Sequence, residues 1–243
     1  TTLLDYPGRV AATVFTGGCN FRCPFCHNGG LVLSPLTQEH YTEEDILSFL
    51  KKRKTILSGV CITGGEPTIQ QDLPDFIQRI KKLGLGVKLD TNGSHPHMLE
   101  KLIAQKQIDY VAMDIKNAPG KYARTTGCGE KSSCYSSREG SENAGMQKQD
   151  KFPLQAVQQS VELLKNSGIS YEFRTTVVKE FHTMQDLQEI CMWIAGCPAY
   201  YLQQFEDSGQ LIAEMDGSVE KGTIFHAYEE AEMKRIAECL NRM

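Results

Sequence analysis

Cys19, Cys23 and Cys26 follow a C-x3-C-x2-C spacing, short enough for three thiolates to converge on one metal ion or one iron–sulfur cluster. Three thiolates around a four-iron cube leave one iron without a protein ligand, which gives an outside molecule a place to bind and react. Two other readings compete. The thiols could pack as small buried hydrophobes, although Gly17, Gly18 and Asn20 mark the segment as a loop. A structural zinc site would recruit His27 as a fourth ligand. His27 adjoins Cys26, however, and closing a tetrahedron normally takes more separation.

Charged residues at strand ends are the next candidates. Asp114 and Lys116 share one strand face, opposite Val111, Met113 and Ile115, because residues two apart point the same way. Asp90 stands near the end of another strand. Carboxylates at the C-terminal ends of strands line the mouth of an α/β barrel, whereas a solvated turn with a surface ion pair would account for Asp114 and Lys116 without function. Arg174 shares its face with Glu172 and Thr176, so it must be paired, with Glu172 as the simplest partner, or face a polar cavity. Gly64-Gly65-Glu66-Pro67 reads on its own as a turn with a helix start, Pro67 being near the first helical position. Cys61, Cys191, Trp193 and Cys239 read as packing residues.

The elements that must position these groups are repeated βα units. Six β-branched apolar runs, at 10–16, 59–63, 86–91, 109–115, 171–178 and 200–205, alternate with stretches of helical period, the pattern of a parallel sheet. Leu73, Phe76, Ile77, Ile80 and Leu83 before Gly84, and Leu154, Val157, Val161 and Leu164 before Gly168, each define a helix. Thr42 with Asp45, and Thr183 with Asp186, resemble capping boxes. A last helix carries Met233, Ile236, Ala237 and Leu240. The fold class is therefore α/β, a partial (β/α)6 barrel of parallel strands with outer helices, although an open doubly wound sheet obeys the same local pattern. Residues 127–150, rich in Gly, Ser, Lys, Glu and Gln, read as a mobile surface insertion in one domain spanning 1–243. Its Cys128 and Cys134 are either a second metal pair or incidental thiols.

Composition narrows the class. The 243 residues carry 26 Lys+Arg against 30 Asp+Glu, with 40% hydrophobic residues, which excludes a disordered chain, a collagenous repeat and a globally basic nucleic-acid binder. The nine cysteines are odd in number, and three crowd into eight residues, a pattern that in a reducing compartment suggests metal rather than disulfides. No run is long and apolar enough for a membrane helix and no signal pattern is present, so the chain is expected to be cytoplasmic, although it lacks an initiator Met.

Cys19-Asn-Phe-Arg-Cys23-Pro-Phe-Cys26-His-Asn resembles the cluster loop of the radical S-adenosylmethionine (radical SAM) superfamily. Gly64-Gly65-Glu66-Pro67 extends the likeness, standing where that family has the turn that meets the methionine amino group of the cofactor. With Asp5-Tyr6-Pro7-Gly8, Asp90-Thr91-Asn92-Gly93 and Met113-Asp114-Ile115-Lys116, the chain is similar to glycyl radical enzyme activating enzymes, most of all the anaerobic ribonucleoside-triphosphate reductase activating branch. It departs from some members in having a single cysteine cluster.

The resemblance implies that Cys19, Cys23 and Cys26 hold a 4Fe–4S cluster whose open iron takes S-adenosylmethionine. It implies further that Gly64, Gly65, Glu66, Lys116 and Arg174 meet the cofactor, that Phe25 and Asn28 approach its adenosine, and that Asp90 and Asp114 hold a monovalent cation beside it. Asp90 counts among the cofactor-binding residues too. The implied activity is reductive cleavage of S-adenosylmethionine, with an electron from a flavodoxin or ferredoxin, and hydrogen abstraction from a glycine of a partner glycyl radical enzyme. No general base is expected, and neither a membrane nor nucleic acid as partner. The alternatives are a radical SAM enzyme acting on a small molecule or an RNA nucleoside, and a non-catalytic zinc or electron-transfer module.

Overall fold

The computed structural model describes residues 1–128, 154–207, 209, 211–217 and 225–241. Its strands are β1 (Ala11–Thr16), β2 (Gly59–Gly64), β3 (Gly86–Thr91), β4 (Tyr110–Asp114), β5 (Ser170–Val177) and β6 (Tyr200–Gln204). They form one parallel sheet in the order β1-β2-β3-β4-β5-β6. A doubly wound sheet reverses its strand order at a switch point; an order that never reverses is that of the partial barrel.

The helices are α1 (Gly29–Leu33), α2 (Glu43–Arg53), α3 (Leu73–Lys81), α4 (Pro96–Ala104), α5 (Tyr122–Thr125), α6 (Leu154–Ser167), α7 (Met184–Trp193), α8 (Ile212–Asp216) and α9 (Glu230–Leu240). Both expected capping boxes are present. Thr42 accepts from the Asp45 amide, and the Asp45 carboxylate accepts from the Thr42 amide; Thr183 and Asp186 repeat the exchange at the start of α7. Among the described residues no helix is long and apolar enough to cross a membrane.

The two faces of the sheet differ in polarity. Val60 and Ile62, Val87 and Leu89, Val111 and Met113, and Phe173 are fully buried in one cluster with Phe76 and Ile77 of α3, Leu99 of α4 and Val161 of α6. The alternate residues, Cys61, Lys88, Asp90, Glu172 and Arg174, stand on the opposite face. Tyr6 and Arg9 close that inner face at its N-terminal end. A Cβ on Gly59 would lie 2.8 Å from the Tyr6 ring, and one on Gly86 2.9 Å from the Arg9 guanidinium. Within the Asp5-to-Gly8 motif it is Tyr6 that packs at the start of β2 and β3, while Asp5, Pro7 and Gly8 are exposed.

Five of the six strands begin or end one residue from the expected bounds, and two boundary differences bear on the site. β4 ends at Asp114 rather than residue 115, so Lys116 lies two residues past it instead of on its strand face, and the insertion begins later than residue 127. Gly127 and Cys128 belong to the packed body: the Gly127 Cα side faces the Arg22 carbonyl, where a Cβ would come within 2.2 Å, and Cys128 is buried with its thiol donating to the Asn20 carbonyl. Residues 129–150, Cys134 included, lie outside the described residues.

Truncating Leu89 to Ala should destabilise the protein by roughly 2–5 kcal/mol, because it empties the apolar layer under β3. Leu36→Ala, at an exposed position between α1 and α2, should cost less than about 0.5 kcal/mol. Urea midpoints of the two variants test the contrast.

Candidate functional site

The loop after β1 carries the three cysteines and is held from all sides. The Gly18 amide donates to the Leu31 carbonyl at 2.8 Å, and the Cys26 amide to the Cys23 carbonyl at 2.9 Å. At the start of α8, the Ile212 and Ala213 amides donate to the carbonyls of Cys26 and Pro24. Arg22 folds back so that its guanidinium donates to the Cys19 and Phe21 carbonyls. Cys19, Cys23 and Cys26 line one pocket together with Asn28, Gly64, Gly65, Glu66, Asp90, Asp114, Lys116 and Arg174; Phe25 and His27 also border it. Every residue singled out from the sequence as a cluster, cofactor or cation group thus reaches one place, at the C-terminal ends of the strands.

The Gly64-Gly65 pair has a steric reason. Gly64 adopts φ +113°, and a Cβ there would fall 2.5 Å from the Thr16 backbone; a Cβ on Gly65 would fall 1.8 Å from the Gly18 carbonyl oxygen. Only glycine permits this approach, which lets the Gly65 amide donate to the Thr16 carbonyl and the Glu66 amide to the Gly18 carbonyl, both at 2.9 Å. Asn28 donates its amide to the Gly64 carbonyl at 3.1 Å.

Glu66 ties three loops together. Its Oε1 accepts from the Thr68 amide and hydroxyl and, at 2.7 Å, from the Thr91 hydroxyl; Oε2 accepts from the Asn92 amide at 2.6 Å. Complete burial pushes its carboxyl above the ordinary value, opposed by those four donors. Asn92 in turn donates to Asn20 at 3.0 Å, and Asn20 to Ser94 at 2.9 Å. The Asp90-to-Gly93 motif therefore positions the cysteine loop as well as facing the pocket.

A chain of alternating charges crosses the pocket floor. Lys88 binds Asp90, Arg174 reaches both Asp90 at 3.2 Å and Asp114 at 2.9 Å, and Lys116 binds Asp114 at 2.9 Å. Burial alone would raise the Asp114 carboxyl, but Arg174 and then Lys116 hold it well below the usual carboxylate range. Burial would likewise lower Lys116, and Asp114 reverses that. Glu172 is not the hydrogen-bonded partner of Arg174; it accepts from the Tyr110 hydroxyl at 2.7 Å. Nor do Asp114 and Lys116 form a freely solvated pair, since both are partly buried in the pocket. Lys88, with a side chain 1% exposed, went unrecognised in the sequence; its signal was the i,i+2 spacing to Asp90 on a strand face.

The thiols are protonated without metal. Burial, with the Glu66 charge, pushes Cys19 up to about 12, and burial drives Cys23 higher still. Loading a metal must release those protons. Among the described residues no three His, Cys, Asp or Glu side chains enclose a single ion-sized point; the three thiols instead share the lining of a wider pocket, and His27 is exposed at it. Phe25 is both a lining and a core residue, its ring 5.1 Å from Phe181 and 6.5 Å from Phe205.

Residues 13–194 match the family model of the Radical SAM superfamily. The chain is 34% identical over 207 residues to the "Putative glycyl-radical enzyme activating enzyme MJ1227" of Methanocaldococcus jannaschii, covering 84% of this chain and 76% of that one. It is 33% identical over 130 residues to the "Probable GTP 3',8-cyclase" of Thermococcus kodakarensis, covering 51% of this chain and 42% of the cyclase. The crystal structure of Streptococcus suis SuiB bound to S-adenosylmethionine superposes with TM-score 0.65 at 14% identity, over 95% of this chain and 46% of SuiB. That likeness speaks for the fold. The chain spans less than half of the cyclase and of SuiB.

Glu66→Gln should cost roughly 2–4 kcal/mol, because an amide NH2 must face at least one of the four donors that the carboxylate now accepts. Gly65→Ala should displace the cysteine loop directly. Urea denaturation and iron content after anaerobic reconstitution check both; normal iron loading in Gly65→Ala would contradict the steric reading.

Proposed function

The chain belongs to the radical SAM superfamily, and from that premise we propose that it is a glycyl radical enzyme activating enzyme, acting on a partner of the anaerobic ribonucleotide reductase or pyruvate formate-lyase type. The observation that carries this reading is the length of the similarity to the archaeal activating enzyme, which runs through most of both chains while the cyclase likeness covers about half of this one.

A 4Fe–4S cluster and S-adenosylmethionine are the groups the family implies, and the residues present fit them. Three thiols share one pocket. Beside them Arg174 has five N–H donors, of which Asp90 and Asp114 engage Nη1 and Nε, and Lys116 has donors beyond the one on Asp114. That leaves cationic donors for a cofactor carboxylate. When bound, and with one electron from a flavodoxin or ferredoxin, these groups would supply reductive cleavage of the sulfonium to methionine and a 5′-deoxyadenosyl radical able to take a hydrogen atom from a glycine Cα.

The chain's own contribution is placement. Cys19, Cys23 and Cys26 would hold the cluster, and Gly64 and Gly65 let the turn approach the cysteine loop. Glu66 acts through that turn rather than through a free carboxylate. Lys116 and Arg174 would orient the cofactor carboxylate, and Asn28 and Phe25, which line the same pocket, would face its adenosine. Hydrogen-atom abstraction needs no general base, and His182 is not placed as one: its Nε2–H donates to the Lys116 carbonyl at 2.8 Å while Nδ1 accepts from the Val178 amide, and burial lowers its pKa. Glycine suits the target because its Cα carries no Cβ to block approach.

The reduced protein, mixed anaerobically with S-adenosylmethionine and the glycyl radical enzyme from the same source, should generate a doublet organic radical on that partner, lost when the partner's glycine is changed to alanine. Cys23→Ser should abolish cluster assembly and the doublet, whereas Cys239→Ser, exposed on α9, should change neither. Electron paramagnetic resonance and iron analysis read both. Radical-free partners together with turnover of GTP or an RNA nucleoside would replace the activating reading and leave the superfamily assignment standing.

A further inference from the structure

The resemblance implied a monovalent cation between Asp90 and Asp114, and the residues present do not fit one. Each of the four carboxylate oxygens already has a cationic donor from the chain. Lys88 Nζ binds Asp90 Oδ1, and Arg174 Nη1 donates to Asp90 Oδ2 at 3.2 Å. Arg174 Nε donates to Asp114 Oδ1 at 2.9 Å, and Lys116 Nζ to Asp114 Oδ2 at 2.9 Å. The Arg174 guanidinium therefore spans the two acids in the place a metal ion would take. An added cation would meet guanidinium and ammonium groups at contact distance, where like charges in a partly dry pocket repel strongly.

Lys88 is the less expected member. It stands inside the sheet, in register with Cys61 of β2 and Tyr110 of β4, and its Nζ lies 3.9 Å from the Cys61 sulfur. An ammonium buried there is tolerable only with a counter-charge, and Asp90 is the carboxylate it binds. Asp90 is thereby fixed from below by Lys88 and from the side by Arg174.

We propose that Lys88 and Arg174 are the resident cations of this site, that the protein binds S-adenosylmethionine without a monovalent metal ion, and that Lys88 is a positioning residue acting through Asp90. The inference rests on the cofactor reading above for its S-adenosylmethionine measurements, and on no partner protein, so failure of the glycyl radical test leaves it untouched.

Thallium-205 resonance on the cluster-loaded protein in tetramethylammonium buffer should show no saturable site; one stoichiometric site displaced by potassium overturns the proposal. Equilibrium dialysis should give wild-type affinities for S-adenosylmethionine within about twofold in potassium and tetramethylammonium chloride at matched ionic strength, and a loss of more than about tenfold without potassium overturns it. Lys88→Met should bind S-adenosylmethionine about tenfold more weakly in tetramethylammonium and recover with potassium, because it leaves Asp90 short of a counter-charge. Unchanged affinity in both salts would remove Lys88 from the positioning role. Should that variant fail to fold, the two wild-type measurements still decide whether a metal ion is bound.

Discussion

A sheet can carry charges on its inner face only if each meets an opposite charge or a hydrogen-bond donor, and that requirement governs the interior of this protein: Asp90 and Asp114 meet cations, and Glu172 meets the Tyr110 hydroxyl. Isolated burial of a carboxylate or an ammonium costs far more than a domain's net stability can absorb. The strand register satisfies it. Asp114 lies directly opposite Arg174 in the β4–β5 pair, and Asp90 lies opposite Ala112 in the β3–β4 pair. Ala112 is fully buried and small, so the Arg174 side chain can cross over β4 to Asp90 on β3. A one-residue slip of any of these strands would send its charges to the apolar face.

The apolar face enforces the same register independently. Val87, Leu89, Val111, Met113 and Phe173 are buried on one side, and their alternation with Lys88, Asp90, Ala112, Glu172 and Arg174 allows one facing only. Packing and charge pairing therefore agree, as expected where local and global preferences are consistent. The C-terminal strand ends then project Asp90, Asp114 and, just past β4, Lys116 into the same pocket as the cysteine loop.

Much of this was legible in the sequence because it is periodic or local. The six strands came from short β-branched runs, and both capping boxes from a Thr three residues ahead of an Asp. The cysteine spacing announced a metal or cluster site without any fold. Helix α4 was missed even though Met98, Leu99, Leu102 and Ile103 carry its period, because the short run follows His95-Pro96 and lacks a side-chain cap. Lys88 in Val-Lys-Leu-Asp was not singled out, because strand alternation alone does not tell that the polar face is also buried, whereas in the fold its side chain is almost fully covered. Glu172 and Arg174 show the opposite failure. Spacing suggested that they pair with each other, whereas Arg174 meets Asp114 on the adjacent β4 and Asp90 on β3 beyond it, and Glu172 meets Tyr110. Pairings across strands depend on register, which no local window contains.

Glu66 shows why motif and mechanism must be separated. From its place in Gly64-Gly65-Glu66-Pro67 it was expected to meet the cofactor, yet its two oxygens are taken up by Thr68, Thr91 and Asn92. Its side chain also clasps the β2 and β3 loops together, while the Glu66 amide and the Gly65 amide fasten that pair to the β1 loop. Gly64, Gly65 and Glu66 all border the pocket. A fully engaged carboxylate of this kind fixes the geometry of the loops it joins, and radical chemistry, which needs position more than proton transfer, is served by that rigidity.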